Sequence, residues 1–343
     1  MTPAKNMKQI TITGGNISFD CAEDDTILRA ALRAGLGFPY ECNVGSCGNC
    51  RFELVEGDVE HERKDSPAYT ERDVQRKRWL GCQAKPHSDC KVKVTLREHY
   101  KSKHLPKKTV GTLYAVEDHT HDIREFRFKL SERVLFQPGQ YALLSVPGVE
   151  GARAYSMGNI TEDGKEWHFQ IKRVPNGAAT GTLFDKIRIL DKIGLDGPYG
   201  MAYLREDAPR DILCLAGGSG LSPMISIARG FAESDKLKGH KLHFIYGGRA
   251  ARDICGEAML RDLPGFGESI LYHPAISMPD TDNPAAWQGL TGFVHDIAAN
   301  MFGDKLADME IYFAGPPAMA EAVTRLTVEK KIPQAQVHYD QFY

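Results

Sequence analysis

Hydrophobic and polar positions follow three different rhythms along this chain. Over residues 8–20, KQITITGGNISFD, two short β-branched runs flank Gly14-Gly15, which predicts a hairpin. Asp24-Asp25-Thr26 leads into ILRAALRAG, read as a short helix with an acidic N-terminal turn and Gly35 at its end. A long Gly/Cys loop follows, then CRFELVEG alternating as a strand, then a polar, Arg-rich helical stretch through residue 78. DCKVKVTL, Asp89 to Leu96, closes this region as another strand. From Arg97 to Lys108 the run REHYKSKHLPKK is basic, aperiodic and contains Pro106, the texture of a linker.

From Thr109 to about Leu204 short strands alternate with Gly/Pro turns (FQPGQYALLSV, WHFQIKRV, LDGPYG), as in an antiparallel barrel. From Arg210 the strand ILCLA, the helix SPMISIARGFA, the strand KLHFIYG, a further helix and the late strand EIYFAG alternate as in an open parallel α/β sheet. The chain therefore divides into a small mixed α+β module at 6–98, a linker at 99–108, an antiparallel β-barrel at 109–205 and a parallel α/β module at 206–343.

Composition narrows the function classes. The 343 residues are 42% apolar and 26% charged, enough to bury several cores. Lys+Arg is 43 against Asp+Glu 45, a formal charge of -2, which argues against a bulk binder of nucleic acid or anionic membrane. Apolar runs such as Ile212 to Ala216 are far shorter than the ~20 residues of a membrane span. The polar N-terminus lacks a charged-then-apolar signal pattern, so a cytoplasmic protein is expected. The twelve histidines show no catalytic spacing.

The cysteines carry more. Cys42, Cys47 and Cys50 have the spacing C-x4-C-x2-C, and Cys82 follows. This is the plant-type spacing for a [2Fe–2S] cluster, whose irons suit soft thiolates. A zinc site would instead pair C-x2-C with another C-x2-C or with histidines. Gly45, Ser46, Gly48 and Asn49 fit a loop that must curl so that N–H groups reach the sulfurs. Cys21, Cys90 and Cys214 sit in strand-like runs and read as small core residues.

Arg153-Ala154-Tyr155-Ser156 follows the strand YALLSV. An arginine there can pair with a diphosphate, the tyrosine can pack on an isoalloxazine, and the serine can hydrogen-bond flavin N5. Gly177 and Thr180 open a helical segment suited to pyrophosphate, close after Lys172, and the turn Gly197-Pro198-Tyr199-Gly200 comes next. Further on, Gly217, Gly218 and Gly220 run into Pro223 after ILCLA, a strand–helix turn that lets backbone approach a diphosphate. Tyr246-Gly247-Gly248-Arg249 and Phe313-Ala314-Gly315-Pro316-Pro317 lie at the carboxyl ends of two other strands, where open α/β sheets bind ligands.

FPYECNVGSCGNCRFELVEG with GCQAKP resembles the ferredoxin domain of reductase components of bacterial multicomponent oxygenases, the toluene 4-monooxygenase and phenol hydroxylase reductases among them. R-A-Y-S and the three later turns resemble the ferredoxin–NADP reductase superfamily, so the resemblance covers the whole chain. It implies a β-grasp ferredoxin module, a flavin-binding barrel holding FAD (the motifs alone do not separate FAD from FMN), and a pyridine-nucleotide module. Hydride would pass from NADH to the flavin, and single electrons through the cluster to an oxygenase, hydroxylase or Rieske-type ferredoxin. Relatives with a similar Gly-Arg turn use NADH, although Arg249 and Arg252 are able to take a 2′-phosphate. Ala314 stands where many relatives have a cysteine beside the nicotinamide. The superfamily also implies that Phe342 or Tyr343 stacks on the flavin face and gates it. A reductase for another system, such as deoxysugar biosynthesis, or a redox sensor is the alternative. A partner is expected near Asn43 to Asn49, on a module of 15 Lys+Arg and 15 Asp+Glu over residues 1–98, so docking should be weak, with the chain otherwise a monomer.

Overall fold

The computed structural model of the chain describes residues 6–63, 65–280, 283 and 286–340. Among the described residues the first module is a five-stranded sheet with a two-stranded ribbon beside it. Its elements are β1 (Met7–Ile12), β2 (Ile17–Ala22), α1 (Ile27–Arg33), β3 (Arg51–Glu56), β4 (Val59–His61), α2 (Glu71–Gln75), β5 (Arg78–Leu80), β6 (Ala84–Pro86) and β7 (Cys90–Lys93). The sheet runs β2-β1-β7-β3-β5, with β1 and β7 parallel and the other neighbours antiparallel. Helix α1 buries Ile27, Leu28, Ala31 and Leu32 completely, because apolar residues recur there at helical spacing.

The first turn of α1 differs from the expectation. Thr26 is the cap, its hydroxyl accepting from the Arg29 N–H, and the first turn contains no acid. Asp25 instead turns back to Arg33. The Arg-rich stretch is helical only over Glu71–Gln75, where Thr70 and Asp73 form a capping box; Arg78 already belongs to a strand. The linker is ordered. Arg97 N–H donates to Gly37 O at 2.8 Å, Glu98–Tyr100 makes a 3₁₀ turn, and Tyr100 lies 6.1 Å from the Tyr40 ring. A side chain at Gly37 would fall 2.0 Å from the Arg97 carbonyl, so this approach requires glycine.

The second module comprises β8 (Lys107–Asp118), β9 (Ile123–Leu130), β10 (Tyr141–Ser145), β11 (Arg153–Ser156), β12 (Glu166–Lys172), α3 (Ala178–Asp185) and β13 (Lys192–Tyr199). They form an antiparallel, barrel-like sheet in the order β11-β10-β13-β8-β9-β12 around Phe126, Phe128, Trp167 and Phe169. Strand β8 starts at Lys107, inside the expected linker, because Lys107 and Lys108 pair with Gly197 and Asp196.

The third module is a parallel sheet in the order β17-β16-β15-β14-β18-β19: β14 (Ile212–Gly217), α4 (Leu221–Glu233), β15 (Leu242–Gly248), α5 (Glu257–Arg261), β16 (Ile270–Ile276), β17 (Leu290–Thr291), α6 (Val294–Phe302), β18 (Glu310–Ala314), α7 (Pro317–Glu329) and β19 (Val337–His338). All six residues of β14 are buried, as a central strand covered on both faces requires. Cys21, Cys90 and Cys214 are core residues. Among the described residues no helix is long and apolar enough to cross a membrane.

Candidate functional site

The thiol loop occupies residues 34–50 between α1 and β3, without regular structure. Cys42, Cys50 and Cys82 are buried and Cys47 is half-buried. The backbone curls onto the sulfurs: Val44, Ser46 and Cys47 N–H groups donate to Cys42 Sγ at 3.5, 3.3 and 3.3 Å, and Cys82 N–H donates to Cys50 Sγ at 3.5 Å. Gly45 and Gly48 take φ of +84° and +78°. These left-handed conformations favour glycine at both positions. The Cys47 thiol and these N–H groups push the Cys42 thiol down to about 6, whereas the Cys82 thiol and burial push Cys50 up.

The backbone contacts put the thiols in two pairs, Cys42 with Cys47 and Cys50 with Cys82. Among the described residues no three ligating side chains converge on a single ion. Two pairs suit a centre of two irons, each taking two thiolates. Buried Asn43 Nδ2 and Gln83 Oε1 lack protein partners, and Gln83 Nε2 reaches Cys82 Sγ at 3.7 Å. The donor set and the glycine cradle fit a [2Fe–2S] cluster. Asn43 faces inward, at 1% exposure, so the outward residues of the loop are Val44, Ser46, Cys47 and Asn49.

Strand β10, the ladder partner of β11, reaches this loop. Ser156 is paired with Tyr141 across the β10–β11 ladder, and the buried Tyr141 hydroxyl donates to the Glu41 carbonyl, one residue before Cys42. Tyr40 Oη accepts from Gly200 N–H at 3.0 Å, and Arg33 forms a two-point pair with Asp196 at 2.7 and 3.0 Å. Burial pushes Tyr155 up to about 12. Arg153 donates to the carbonyls of Glu150, Gly151 and Ala152, and with Arg63, Lys85, Glu60 and Glu62 it lines a cleft of about 810 Å³ between the first two modules.

Strand β11 meets α4. Ser222 Oγ lies 2.8 Å from the Ser156 carbonyl and 2.6 Å from Gln170 Oε1, Ser226 donates to Asn159 O at 2.8 Å, and Arg229 donates to Gly158 O at 2.6 Å. These three side chains are four and three residues apart, a polar stripe on an otherwise apolar helix. The stripe was the one sequence signal available for this contact.

The parallel sheet brings the three nucleotide turns together. Gly217 is in register with Gly247, and Ala216 with both Tyr246 and Ala314. A Cβ on Gly220 would fall 1.9 Å from Ala314 O, so the first and last turns touch through backbone. Gly218 has φ +57°, and the Lys172 side chain passes beside it while Nζ pairs with Asp122 at 2.9 Å. Gly315 packs against Met319, and Pro316 caps α7. Pro223 is buried in the first turn of α4.

Two hydroxyls of these motifs are bonded to backbone. Tyr246 is 1% exposed and donates to Gly218 O at 3.3 Å, and the Thr180 hydroxyl accepts from Val174 N–H, closing the turn at Gly177. The Arg249 and Ala250 N–H groups both donate to the Asp253 carboxylate, at 3.0 and 2.9 Å. Near the C-terminus Tyr339 stacks on Phe313 at 4.5 Å, and Asp340 accepts from Met201 N–H at 3.1 Å. Phe342 and Tyr343 lie outside the described residues.

Three domain families match this chain: a 2Fe-2S iron-sulfur cluster binding domain over residues 10–87, an oxidoreductase FAD-binding domain over 111–203 and an oxidoreductase NAD-binding domain over 214–325. The chain is 35% identical to the ferredoxin–NAD(P)(+) reductase CarAd of Metapseudomonas resinovorans, covering 94% of this chain and 96% of that protein. It is also 35% identical to the ferredoxin–NAD(+) reductase component of the alkene monooxygenase system of Xanthobacter autotrophicus, covering 95% and 98%. Among solved structures, the ferredoxin reductase in carbazole 1,9a-dioxygenase superposes with a TM-score of 0.90 at 33% identity, over 99% of both chains.

Proposed function

The chain belongs to the family of ferredoxin–NAD(P)(+) reductase components of multicomponent oxygenases, and from that premise we propose that it oxidises NADH and delivers electrons one at a time to an oxygenase component or to a Rieske-type ferredoxin. The observation that carries the reading is the position of the β10–β11 ladder: Tyr141 of β10 reaches the thiol loop, and its ladder partner Ser156 of β11 meets Ser222 at the nucleotide turn. When bound, FAD supplies two-electron acceptance from NADH and the [2Fe–2S] cluster supplies one-electron transfer.

In this reading Cys42, Cys47, Cys50 and Cys82 ligate the cluster. Ser156 presents its hydroxyl to flavin N5, Tyr155 packs its ring on the flavin, and Arg153 leaves its own loop's carbonyls to pair with the diphosphate. Gly217, Gly218 and Gly220 admit the nucleotide diphosphate to the N-terminus of α4, with Gly315 and Pro316 on its far side. Asp253 supports NADH: its carboxylate already occupies two N–H groups beside Arg249, where an adenosine 2′-phosphate would have to bind. The partner docks at the outward loop residues, and the protein works as a cytoplasmic monomer.

Iron analysis of the purified protein should give about two atoms per chain. Cys82→Ser should abolish cytochrome c reduction and the iron while NADH-dependent dye reduction persists, because the flavin motif lies in another module. Zinc in place of iron, or equal loss of both activities, would refute the reading.

A further inference from the structure

Helix α1 carries a charge that the relay described above does not use. Arg29 is 8% exposed, and its guanidinium is turned toward the thiol loop. Nε donates to Asn43 Oδ1 at 3.1 Å, and Nη2 donates to Asn43 O at 3.2 Å and to Cys82 O at 3.4 Å. Asn43 follows Cys42 and holds a left-handed φ of +55°. One guanidinium thus spans the first and the last of the four cysteines.

Its sole counter-charge within ion-pair distance among the described residues is Glu62, at 3.7 Å. That carboxylate is shared with Lys85 Nζ at 3.0 Å and is 27% exposed. Glu41, next to Cys42, and Asp196, whose charge also acts on Arg29, are further acids nearby. Arginine keeps its charge at every accessible pH. A fixed positive charge in a poorly solvated site acts on its neighbours with little screening. Reduction adds one electron, donated by the flavin, and makes the centre one unit more negative without forming or breaking a bond. The buried guanidinium favours that state.

We propose that Arg29 raises the reduction potential of the cluster, and so draws electrons from the flavin, while Glu62 trims its effect. The proposal rests on the reading that the four cysteines hold a [2Fe–2S] centre. It differs from a bracing role in one respect: removing the partly exposed Glu62 should act in the opposite direction to removing Arg29.

The test is an EPR-monitored redox titration of the intact protein, with iron and flavin content measured on each sample. Arg29→Gln should lower the cluster midpoint by about 59 mV, equal to a tenfold smaller reduced-to-oxidised ratio at fixed potential for a one-electron couple. Arg29→Lys should lower it less, and Glu62→Gln should raise it, with the flavin midpoint unchanged in all three. If Arg29→Gln loses its iron, Arg29→Lys and Glu62→Gln decide. A Glu62→Gln midpoint equal to the parent's would overturn the proposal even with the cluster intact, whereas a parent protein without iron would overturn the underlying reading.

Discussion

On its ferredoxin side, the sheet that contains β11 meets a seam of paired charges and aromatic rings; on its nucleotide side it meets two serine hydroxyls and one guanidinium bonded to backbone carbonyls. Tyr141, Leu143 and Tyr199 of the barrel belong to the same apolar core as Phe38, Tyr40 and Leu80 of the ferredoxin module. Around that core Arg33 lies between Asp25 and Asp196, and Tyr199 Oη donates to Asp196 at 2.8 Å. Side chains from both modules are thus desolvated together, and separating them would strand charges. The nucleotide seam is held mainly by Ser222, Ser226 and Arg229 on carbonyls of residues 156–159. Water can replace the two serine bonds at about 1 kcal/mol each, and the charged Arg229 bond at about 1.5–3 kcal/mol. The first seam fixes a separation, as electron transfer requires. The second is the one held mainly by bonds to backbone, which suits the binding and release of a nucleotide.

The largest effect should come from Arg33→Met, which leaves Asp25 and Asp196 facing each other. Breaking a buried pair typically costs 3–5 kcal/mol, and the partial exposure of these side chains points to about 3 kcal/mol. Calorimetry should then show the ferredoxin module melting apart from the barrel. A single unsplit transition with unchanged midpoint would break the comparison.

Acid should act on the same side with a smaller effect. The His61 ring accepts the Leu80 N–H at 3.1 Å, and burial pushes it down to about 4. The unfolded chain takes up this proton near 6.5, so stability is complete above pH 6.5 and is lost as pH falls toward 4. The shift corresponds to about 2 kcal/mol after allowance for partial hydration. His61→Gln, which keeps an acceptor, should flatten the pH dependence of the ferredoxin transition between these limits. An unaltered slope would assign the acid lability elsewhere.

The smallest effect should be Ser222→Ala, about 1 kcal/mol in stability. It sharpens the comparison through a different reading: the rate of flavin reduction by NADH should change, while flavin-to-cluster transfer in rapid mixing should not. Equal changes in both steps would show that the two seams are coupled.

What the sequence determined by itself was the chemistry confined to one turn or loop. C-x4-C-x2-C with glycines at 45 and 48 specifies a curled thiol loop, because four or five residues must satisfy the sulfurs and the backbone together. The same holds for the glycine turns at 217–220, 247–248 and 315, whose place at strand ends follows from the alternation of strand and helix. Tertiary structure alone decided the rest. Asp25 looked like an acid in the first turn of a helix, yet its partner Arg33 is also held by Asp196, 163 residues further on. Thr180 and Tyr246 sit inside ligand-like motifs but turn their hydroxyls to backbone carbonyls or N–H groups. Arg29 finds its partners, Asn43 and the Cys82 carbonyl, 14 and 53 residues further on. The physical reason is common to all of them: a motif encodes its own backbone, whereas the partner of a long polar side chain depends on which modules dock against it and exclude water.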